Sequence, residues 1–398
     1  MRVLMIGAGG VALTRPLDWV VKAGYEVWLL GDVDPYETEA PKNYRYFPTV
    51  WRNYAEKYTN TFPYEDQMVE EMVEPLRQLA DELQPDIIHV HAIGWHAQCC
   101  ALANLNPLVV SAWGFLNHLL QPEREQSKHK DRVSQVFKNT GVLIVETPSL
   151  IEKSKALLNH EQRVELIPLG TNPQHFRTGV TKDLSKWRQE ILKIDEEATI
   201  LLSPRGWSKV YNHEQIFAAY AQAYPQFTKP TVLVFSKLGR AVREEALAIY
   251  ESISNKAEEL GLSENLRWMP ALPYSFMPTG YNLADVIINY PLSDAFPSTL
   301  IEAVACERPV ITCDLLAYRG TFIEEFCTVV EPENPEALAK AMIKVVNQPP
   351  QERESHLAKA RQFIVEQYDE AVLQRRLFQI YEDVASTTNT NSKNVYDI

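Results

Sequence analysis

Residues 286–303 decide the fold of this chain and read VIINYPLSDAFPSTLIEA. The first three residues form a short apolar run that is typical of a buried strand, which Asn289 ends. The turn at Tyr290-Pro291 follows that strand, and Pro297 suits the first position of the following helix because its missing N–H costs nothing there. A buried strand that leads through a short loop into an apolar helix is the repeating unit of a doubly wound parallel sheet.

The same unit recurs along the chain in two halves. Short apolar runs separated by helical segments predict parallel sheets that are covered on both faces. In the first half the predicted strands are Arg2–Ile6, Glu26–Leu30, Ile87–Val90, Leu108–Ser111 and Val142–Val145. In the second half they are Thr199–Leu202, Thr231–Phe235, Leu266–Met269, Val286–Asn289, Val310–Thr312 and Thr328–Val330.

This pattern predicts an α/β protein with two Rossmann-like, doubly wound domains facing a cleft. Open α/β sheets bind ligands outside the carboxyl ends of their strands, so each half is expected to hold one ligand. The first domain is expected to span 1–170 and the second 171–365, with Pro and Gly residues clustered at the junction. The polar segment 386–398 predicts a disordered tail.

The composition restricts the class of protein. The chain has 398 residues, with 39 Lys and Arg against 52 Asp and Glu, and a formal charge of −13. Such an acidic balance disfavours nucleic-acid binding, which needs a basic surface. No apolar stretch approaches the roughly 20 residues that span a bilayer, and the five cysteines lack metal-binding spacing. We therefore expect a cytoplasmic protein with no metal site.

The start of the helix in residues 286–303 predicts an anion site. The backbone N–H groups of Ser298 and Thr299 would have no helical partner, and with the helix dipole and two hydroxyls they suit a phosphate. Glu302 lies about 7–8 Å further along the axis than Pro297, where its carboxylate could accept hydrogen bonds from sugar hydroxyls beside a bound diphosphate. Asp294 precedes the helix and could contact the other end of that ligand.

These residues also carry a family resemblance. The segment Asp294–Ala303 resembles the acidic–x7–Glu motif of retaining GT-B glycosyltransferases of family 4, the glycogen-synthase-like group. The usual form is Glu-Gly-Phe-Pro, a short apolar run and Glu-Ala. The matching residues are Asp294, Phe296, Pro297, Glu302 and Ala303, with Asp in place of the first Glu and Ala295 in place of Gly.

Other segments resemble the same family in the same order along the chain. An Arg and a Lys after the first strand of the second domain bind the donor diphosphate in the family; here Arg205 matches, and Lys209 comes one residue early. Residues 85–91 and 167–176 also resemble family segments. The C-terminal helices resemble the pair that crosses back, which implies that 366–385 returns to the first domain.

The resemblance implies a donor, an acceptor and a set of donor-site roles. The activity would be transfer of a glycosyl group, with retention of configuration, from a UDP- or GDP-sugar to a carbohydrate, lipid-linked or small-molecule acceptor, with no cofactor. Arg205, Lys209 and the helix start at Ser298/Thr299 would hold the diphosphate. Glu302 would hold the ribose and Asp294 the donor sugar.

Residues 121–138 mix basic and acidic side chains, so a solvated helix is favoured over peripheral membrane contact.

The N-terminal glycine loop permits a different interpretation. Gly7, Gly9 and Gly10 follow a strand and fit a dinucleotide fingerprint, with Asp32 about where a ribose-binding acid would lie. In the GT-B interpretation, Gly9 and Gly10 instead let a donor phosphate or an acceptor approach the backbone. A dehydrogenase does not need the Arg205 and Glu302 set, so we favour the second interpretation.

The acceptor side departs from the family pattern. Many members place His-Gly after the fourth strand, and here Trp113 occupies the His position beside Gly114. Asn117 or His118 could supply the missing polar group, with His118 as the catalytic candidate. His91 and His96 are further candidates from the adjacent strand end.

Three other functions stay open at this point. An NDP-sugar 2-epimerase shares the two-domain architecture and needs no acceptor. A nicotinamide-dependent oxidoreductase would use the Gly7 loop. A non-catalytic nucleotide-sugar-binding protein would explain the changes at Trp113, Asp294 and Glu307.

Overall fold

The computed structural model describes residues 1–7, 10–36, 39–48, 66–113, 128–155, 162–180, 183–236 and 244–393. These residues form two α/β units. Unit 1 comprises Met1–Leu169 and Leu373–Ile398, and unit 2 comprises Gly170–Val372. Each unit contains one parallel sheet with helices packed against it, which confirms the predicted class of two Rossmann-like domains.

Unit 1 contains a seven-stranded parallel sheet in the order β3-β2-β1-β4-β5-β6-β7. Its strands are β1 (Arg2–Gly7), β2 (Glu26–Gly31), β3 (Tyr44–Pro48), β4 (Ile87–His91), β5 (Leu108–Ser111), β6 (Val142–Val145) and β7 (Arg163–Leu166). The sequence predicted all but the two edge strands, β3 and β7. Both edge strands mix polar and half-buried residues, so they lack the continuous apolar run of a central strand.

The helices of unit 1 cover both faces of this sheet. They include α1 (Val11–Lys22), α2 (Asp66–Leu83), α3 (Trp95–Leu102), α4 (Lys128–Asn139) and α5 (Pro148–Lys155). One face packs against α2, α3 and α4. The other face packs against α1 and against a helix from the end of the chain, which is α14 (Glu370–Lys393).

Helix α14 joins unit 1 through an apolar stripe. Leu373, Leu377, Ile380 and Tyr381 recur at helical spacing and are buried against the sheet. Helix α14 is therefore part of unit 1 from Leu373 onward. The helix also continues to Lys393, whereas the sequence predicted a disordered tail from residue 386. Ser386 and Thr387 donate to carbonyls one turn earlier, so these hydroxyls do not interrupt the helix.

Unit 2 contains a six-stranded parallel sheet in the order β10-β9-β8-β11-β12-β13. Its strands are β8 (Thr199–Ser203), β9 (Thr231–Ser236), β10 (Leu266–Met269), β11 (Val286–Asn289), β12 (Val310–Cys313) and β13 (Thr328–Val330). The α-helices described in this unit are α6 (Leu184–Lys186), α7 (His213–Ala223), α8 (Glu244–Glu259), α9 (Met277–Leu283), α10 (Ser298–Ala305), α11 (Phe322–Phe326), α12 (Pro335–Asn347) and α13 (Gln351–Gln367).

The unit 2 sheet positions two loops side by side. Strands β8 and β11 are paired in parallel with Leu202 opposite Ile287, so both end at the same edge. The loop after β8 carries Arg205, and the loop after β11 carries Asp294. Among the described residues, no helix is long and apolar enough to cross a membrane.

Candidate active site

A buried ion pair joins the two loops of unit 2. The Arg205 guanidinium Nη1 lies 3.2 Å from Asp294 Oδ2, and the two side chains are 13% and 11% exposed. The sequence placed Arg205 and Asp294 in one site without foreseeing their direct contact. Because the pairing brings the strand ends together, the residues after β8 and β11 share one small volume.

The surroundings of Arg205 keep it charged. Its Cζ atom lies 4.2 Å from the centre of the Tyr211 ring, in a cation–π geometry. Burial lowers the pKa of Arg205, but Asp294 and then Tyr211 outweigh that effect and raise the pKa above its ordinary value. An arginine fixed in this way is a permanent positive charge at the carboxyl edge of the sheet.

Three hydrogen bonds hold the Asp294 carboxylate and the Tyr318 hydroxyl that donates to it. The Tyr318 hydroxyl donates to Asp294 Oδ2 at 3.1 Å, and Asn289 Nδ2 donates to the Tyr318 oxygen at 3.1 Å. The Ala295 backbone N–H donates to Asp294 Oδ1 at 2.9 Å. Sequence reasoning missed Tyr318, Asn289 and Tyr211. Of these three, only Asn289 gave a signal in the sequence, because this polar residue ends the apolar run of strand β11.

Helix α10 begins one residue later than the sequence predicted. Pro297 has φ −74° and ψ 128°, which is extended backbone, so it precedes the helix instead of forming its first residue. Ser298 and Thr299 then form the first turn, where N–H groups have no carbonyl one turn earlier to bond. The helix start remains an anion-binding geometry, now centred on Ser298 and Thr299.

Glu302 points into the protein and not into solvent. It is 4% exposed, and the Tyr281 hydroxyl donates to Glu302 Oε2 at 2.9 Å. Burial first, and then the Glu302 carboxylate, raise the pKa of Tyr281 well above its ordinary value. The tyrosine therefore keeps its proton and orients the carboxylate near the first turn of α10.

Two further predicted donor-site residues differ in exposure: Lys209 is exposed and Phe296 is buried. Lys209 is exposed at the start of a short 3-10 turn, Lys209–Tyr211, and its backbone N–H donates to Glu245 Oε1 at 3.0 Å. Phe296 is 5% exposed and packs edge-on against Phe322, with ring centres 5.9 Å apart. Phe296 thus anchors the loop before α10 to the core of unit 2.

The glycine loop of unit 1 is described only in part. Gly7 ends β1, and Gly10 precedes α1 with a φ of +80°, a conformation that favours glycine. Gly9 lies outside the described residues. Gly114, Asn117 and His118 also lie outside them, so these acceptor-side predictions stay predictions.

A chain of aromatic and polar contacts occupies the carboxyl edge of the unit 1 sheet. His89 Nε2 lies 2.8 Å from the Ser111 hydroxyl, and its Nδ1 lies 2.5 Å from the Tyr381 hydroxyl. The centres of the His91 and His89 rings lie 4.0 Å apart with the rings tilted by 34°, and Trp113 Nε1 donates to His91 Nδ1 at 3.3 Å. The structure therefore brings His91 and Trp113 together at the end of β4.

The histidines of this edge are neutral. Burial lowers the pKa of His91 to about 3, although the Ala12 backbone partly opposes this. Burial likewise lowers the pKa of His96 to about 3, and its ring stacks on Trp95 at 3.6 Å. Neither ring carries a charge at neutral pH, so each acts as a hydrogen-bonding group and not as a cation.

Glu146 is a buried acid at this edge that sequence reasoning missed. It follows strand β6 directly and is 4% exposed. Burial raises the pKa of Glu146 to about 8, against a hydrogen bond from its own backbone N–H that lowers it. A Glu directly after an apolar strand was the available signal in the sequence.

Comparison with known proteins finds a family model that matches most of unit 2. Residues 185–367 match the model of the family described as glycosyl transferases group 1. This span lies within unit 2 and contains the Arg205–Asp294 pair and helix α10. This region of the chain is therefore similar to the group 1 glycosyl transferases.

A curated relative matches part of the chain. The chain is 21% identical over 224 residues to the D-inositol 3-phosphate glycosyltransferase of Corynebacterium urealyticum. The match covers 55% of this chain and 51% of that protein, so the chain spans about half the length of the curated relative.

Solved structures share the fold over nearly the whole chain. Sucrose-phosphate synthase from Thermosynechococcus elongatus has a TM-score of 0.76 at 17% identity, covering 97% of this chain and 100% of that one. A UDP-forming trehalose-phosphate synthase from Burkholderia xenovorans has a TM-score of 0.75 at 16% identity, covering 96% and 99%. Anabaena HepE in complex with UDP and glucose has a TM-score of 0.71 at 13% identity, covering 96% and 100%. Each of the two α/β units thus has the Rossmann-like fold of the domains in these structures.

Proposed function

We propose that this protein is a retaining glycosyltransferase that takes its sugar from a nucleoside-diphosphate sugar. The observation that carries the proposal is the buried Arg205–Asp294 pair beside the start of helix α10. A fixed guanidinium and free helical N–H groups suit a diphosphate, because both present donors and positive potential to its oxygens. The matched family model, which spans these residues, supports the same assignment.

In this proposal, each donor-site residue has one role. Arg205 and the N–H groups of Ser298 and Thr299 bind the diphosphate, and Lys209 adds a second positive charge from the exposed turn. Glu302 accepts hydrogen bonds from the ribose. Asp294 contacts the donor sugar, and its hydrogen bonds to Tyr318 and Ala295 fix its direction.

The reaction breaks the bond between the sugar's anomeric carbon and the diphosphate oxygen. The acceptor hydroxyl forms the new glycosidic bond on the same face of the sugar, and its proton moves to the leaving diphosphate. Negative charge grows on that diphosphate as the bond breaks. Arg205 and the start of α10 are in place before the reaction, so they stabilise this charge without reorganising.

The donor is expected to be a UDP- or GDP-sugar. HepE from Anabaena has been solved with UDP-glucose, and a related synthase is described as UDP-forming, so UDP is the first nucleotide to test. The acceptor is expected to be a carbohydrate, a lipid-linked sugar or another small molecule held by unit 1. The matched family model does not favour the epimerase, oxidoreductase or binding-only alternatives.

Replacement of Arg205 tests this function directly. Loss of one preorganised donor to a developing charge lowers rates by about 10²–10³-fold, so Arg205→Ala should lower donor turnover by at least that factor. The assay measures release of the free nucleotide from UDP- and GDP-sugars. Arg319→Ala is the matched control, because Arg319 is an exposed arginine of unit 2 that pairs with Asp314. Near-normal turnover by Arg205→Ala would show that the diphosphate is bound elsewhere.

A further inference from the structure

The Asp294 carboxylate lies against the guanidinium that the proposed function gives to the diphosphate. Arg205 Nη1 is 3.2 Å from Asp294 Oδ2, and both side chains are nearly buried. The Leu292 backbone N–H also donates to the Val210 carbonyl at 2.8 Å, so the loops after β11 and β8 are joined beside this pair. Asp294 is therefore a fixed neighbour of any anion that Arg205 binds.

The contacts of Asp294 hold it as an acceptor with a negative charge. The Tyr318 hydroxyl donates to Oδ2 and the Ala295 N–H donates to Oδ1, so with Arg205 three donors converge on the carboxylate. Burial first, and then Asp294, raise the pKa of Tyr318 well above its ordinary value, so the phenol keeps the proton that it donates. The Arg205–Asp294 pair as a whole carries no net charge.

A diphosphate on Arg205 would lie close to the charge of Asp294. The guanidinium has several N–H donors in one plane, so it can bind an anion while it keeps its contact with Asp294. With N–H···O distances of about 2.9 Å, the phosphate and carboxylate oxygens would then lie roughly 4–7 Å apart. At this separation, one additional unit charge in a buried site changes an affinity by about ten-fold or more.

The sugar donor and the nucleotide product differ by such a charge. In a nucleoside-diphosphate sugar the sugar esterifies the terminal phosphate, so this phosphate carries a single negative charge. In the free nucleoside diphosphate the same phosphate can ionise a second time, with a pKa of about 6 for a phosphate of this type. At pH 7 the product therefore carries nearly one more negative charge than the donor, at the end that Arg205 binds.

This additional charge develops only after the transfer. In the proposed reaction the leaving diphosphate takes the proton of the acceptor hydroxyl, so the total charge of the nucleotide does not change in that step. The proton then passes to water, and the terminal phosphate gains its second negative charge beside Asp294. Like charges at short range oppose binding, so the repulsion acts on the finished product.

We propose that Asp294 makes the donor site select against its own nucleotide product. Arg205 attracts donor and product alike, whereas the Asp294 carboxylate lowers the affinity for the free nucleoside diphosphate more than the affinity for the donor. Product release is faster as a result. This inference rests on the proposed function and gives Asp294 a second role besides its contact with the donor sugar.

The test compares two probes that lack a sugar, so the sugar contact of Asp294 does not affect the result. They are UDP and UDP methylated on its terminal phosphate, which has the charge of the donor; GDP and its methyl ester are measured in the same way. Asp294→Asn keeps the size of the side chain and removes its charge. In isothermal titration calorimetry on the full chain, the variant should bind UDP more tightly, and this gain should exceed the gain for the methyl ester by about ten-fold.

Three further variants make the result specific to the charge of Asp294. Asp294→Ser also lacks the charge and should favour UDP in the same direction. Tyr318→Phe keeps the charge and should retain the wild-type ratio of the two affinities. Asp314→Asn is the matched control, because Asp314 is an exposed acid of unit 2 that pairs with Arg319 at 3.0 Å, and it should bind both probes like the wild type.

Two kinds of result would overturn this inference and leave the proposed function intact. The first is an unchanged ratio of the two affinities in Asp294→Asn and Asp294→Ser, or a larger gain for the methyl ester than for UDP. The second is an equal change of that ratio in Asp314→Asn. Failure of UDP and GDP to bind the wild type would instead overturn the proposed function.

Discussion

At the scale of single residues, the donor side depends on how Asp294 is held. Its carboxylate contacts Arg205, the Tyr318 hydroxyl and the Ala295 N–H, so few orientations remain open to it. The family usually has Glu at this position, whose side chain is one methylene longer. A shorter acid held this firmly lies at a fixed distance from the donor sugar. We therefore expect the groups that hold Asp294, above all the Tyr318 hydroxyl, to affect turnover as well as the carboxylate itself.

Tyr318→Phe tests that support. The change removes the hydrogen bond to Asp294 and leaves the ring, so kcat should fall about ten-fold while the KM for the donor changes less. Tyr224→Phe removes a hydroxyl from another turn of unit 2 and should leave both constants unchanged. If kcat of Tyr318→Phe stays within two-fold of wild type, Tyr318 does not position Asp294.

Glu146 should make the stability of unit 1 depend on pH. Its folded-state pKa is raised from the usual 4.5 to about 8, so the stability that it contributes is complete below about pH 4.5. That stability is lost as the pH rises through 8, because the buried carboxyl must then ionise. At about 1.4 kcal/mol for each pH unit, the loss is at most about 5 kcal/mol.

Urea unfolding of wild type and Glu146→Gln measures this effect. The free energy of unfolding of the wild type, relative to the variant, should decrease between pH 5 and pH 8.5. Glu152→Gln changes an exposed acid on α5 and should follow the wild type at both values. The same difference between wild type and Glu146→Gln at both pH values would contradict a raised pKa.

At the scale of elements, helix α14 completes the core of unit 1. Its buried residues Leu373, Leu377 and Ile380 cover the sheet face that α1 leaves open, and Tyr381 reaches His89. The sheet of unit 1 is therefore complete only when the end of the chain folds onto it. This is why residues distant in sequence share one core.

Truncating one of these residues should destabilise unit 1. Leu377 is 2% exposed, and Leu377→Ala should lower the free energy of unfolding by about 2–5 kcal/mol. Arg376→Ala changes the exposed neighbour on the same helix and should have little effect. Equal unfolding midpoints for the two variants in urea would show that α14 contributes no core packing.

How well each strand or helix could be predicted depended on its pattern of apolar and polar residues. The central strands read as unbroken apolar runs and were predicted almost to the residue. The edge strands β3 and β7 carry polar residues, and pairing along the sheet defines them more than local sequence does. Helix α10 was predicted with its start displaced by one residue, because a proline is tolerated both before and at the first helical position.

At the scale of the whole molecule, the sequence motifs identified the charged residues of the candidate site but not the residues that hold those side chains in place. Arg205, Asp294 and Glu302 were identified because charged residues near strand ends and in an apolar helix stand out. Tyr211, Tyr281 and Tyr318 were missed, since a tyrosine in a turn or a buried helix has no sequence signature that separates packing from support. Glu146 was missed for a related reason: no motif includes it, and its position after an apolar strand does not by itself reveal that its Oε2 is buried with no hydrogen-bond partner among the described residues.

The central claim is that unit 2 binds a nucleoside diphosphate through Arg205. The most direct test is a thermal-shift measurement on the full chain with UDP, GDP and ADP, their sugar derivatives, NAD and NADP. A ligand at 100 times its Kd adds about 2.7 kcal/mol of stability. The account predicts a shift with UDP or GDP and their sugars that is lost in Arg205→Ala and kept in Arg319→Ala. A shift with NAD or NADP alone, or an equal nucleotide shift in Arg205→Ala, would contradict it.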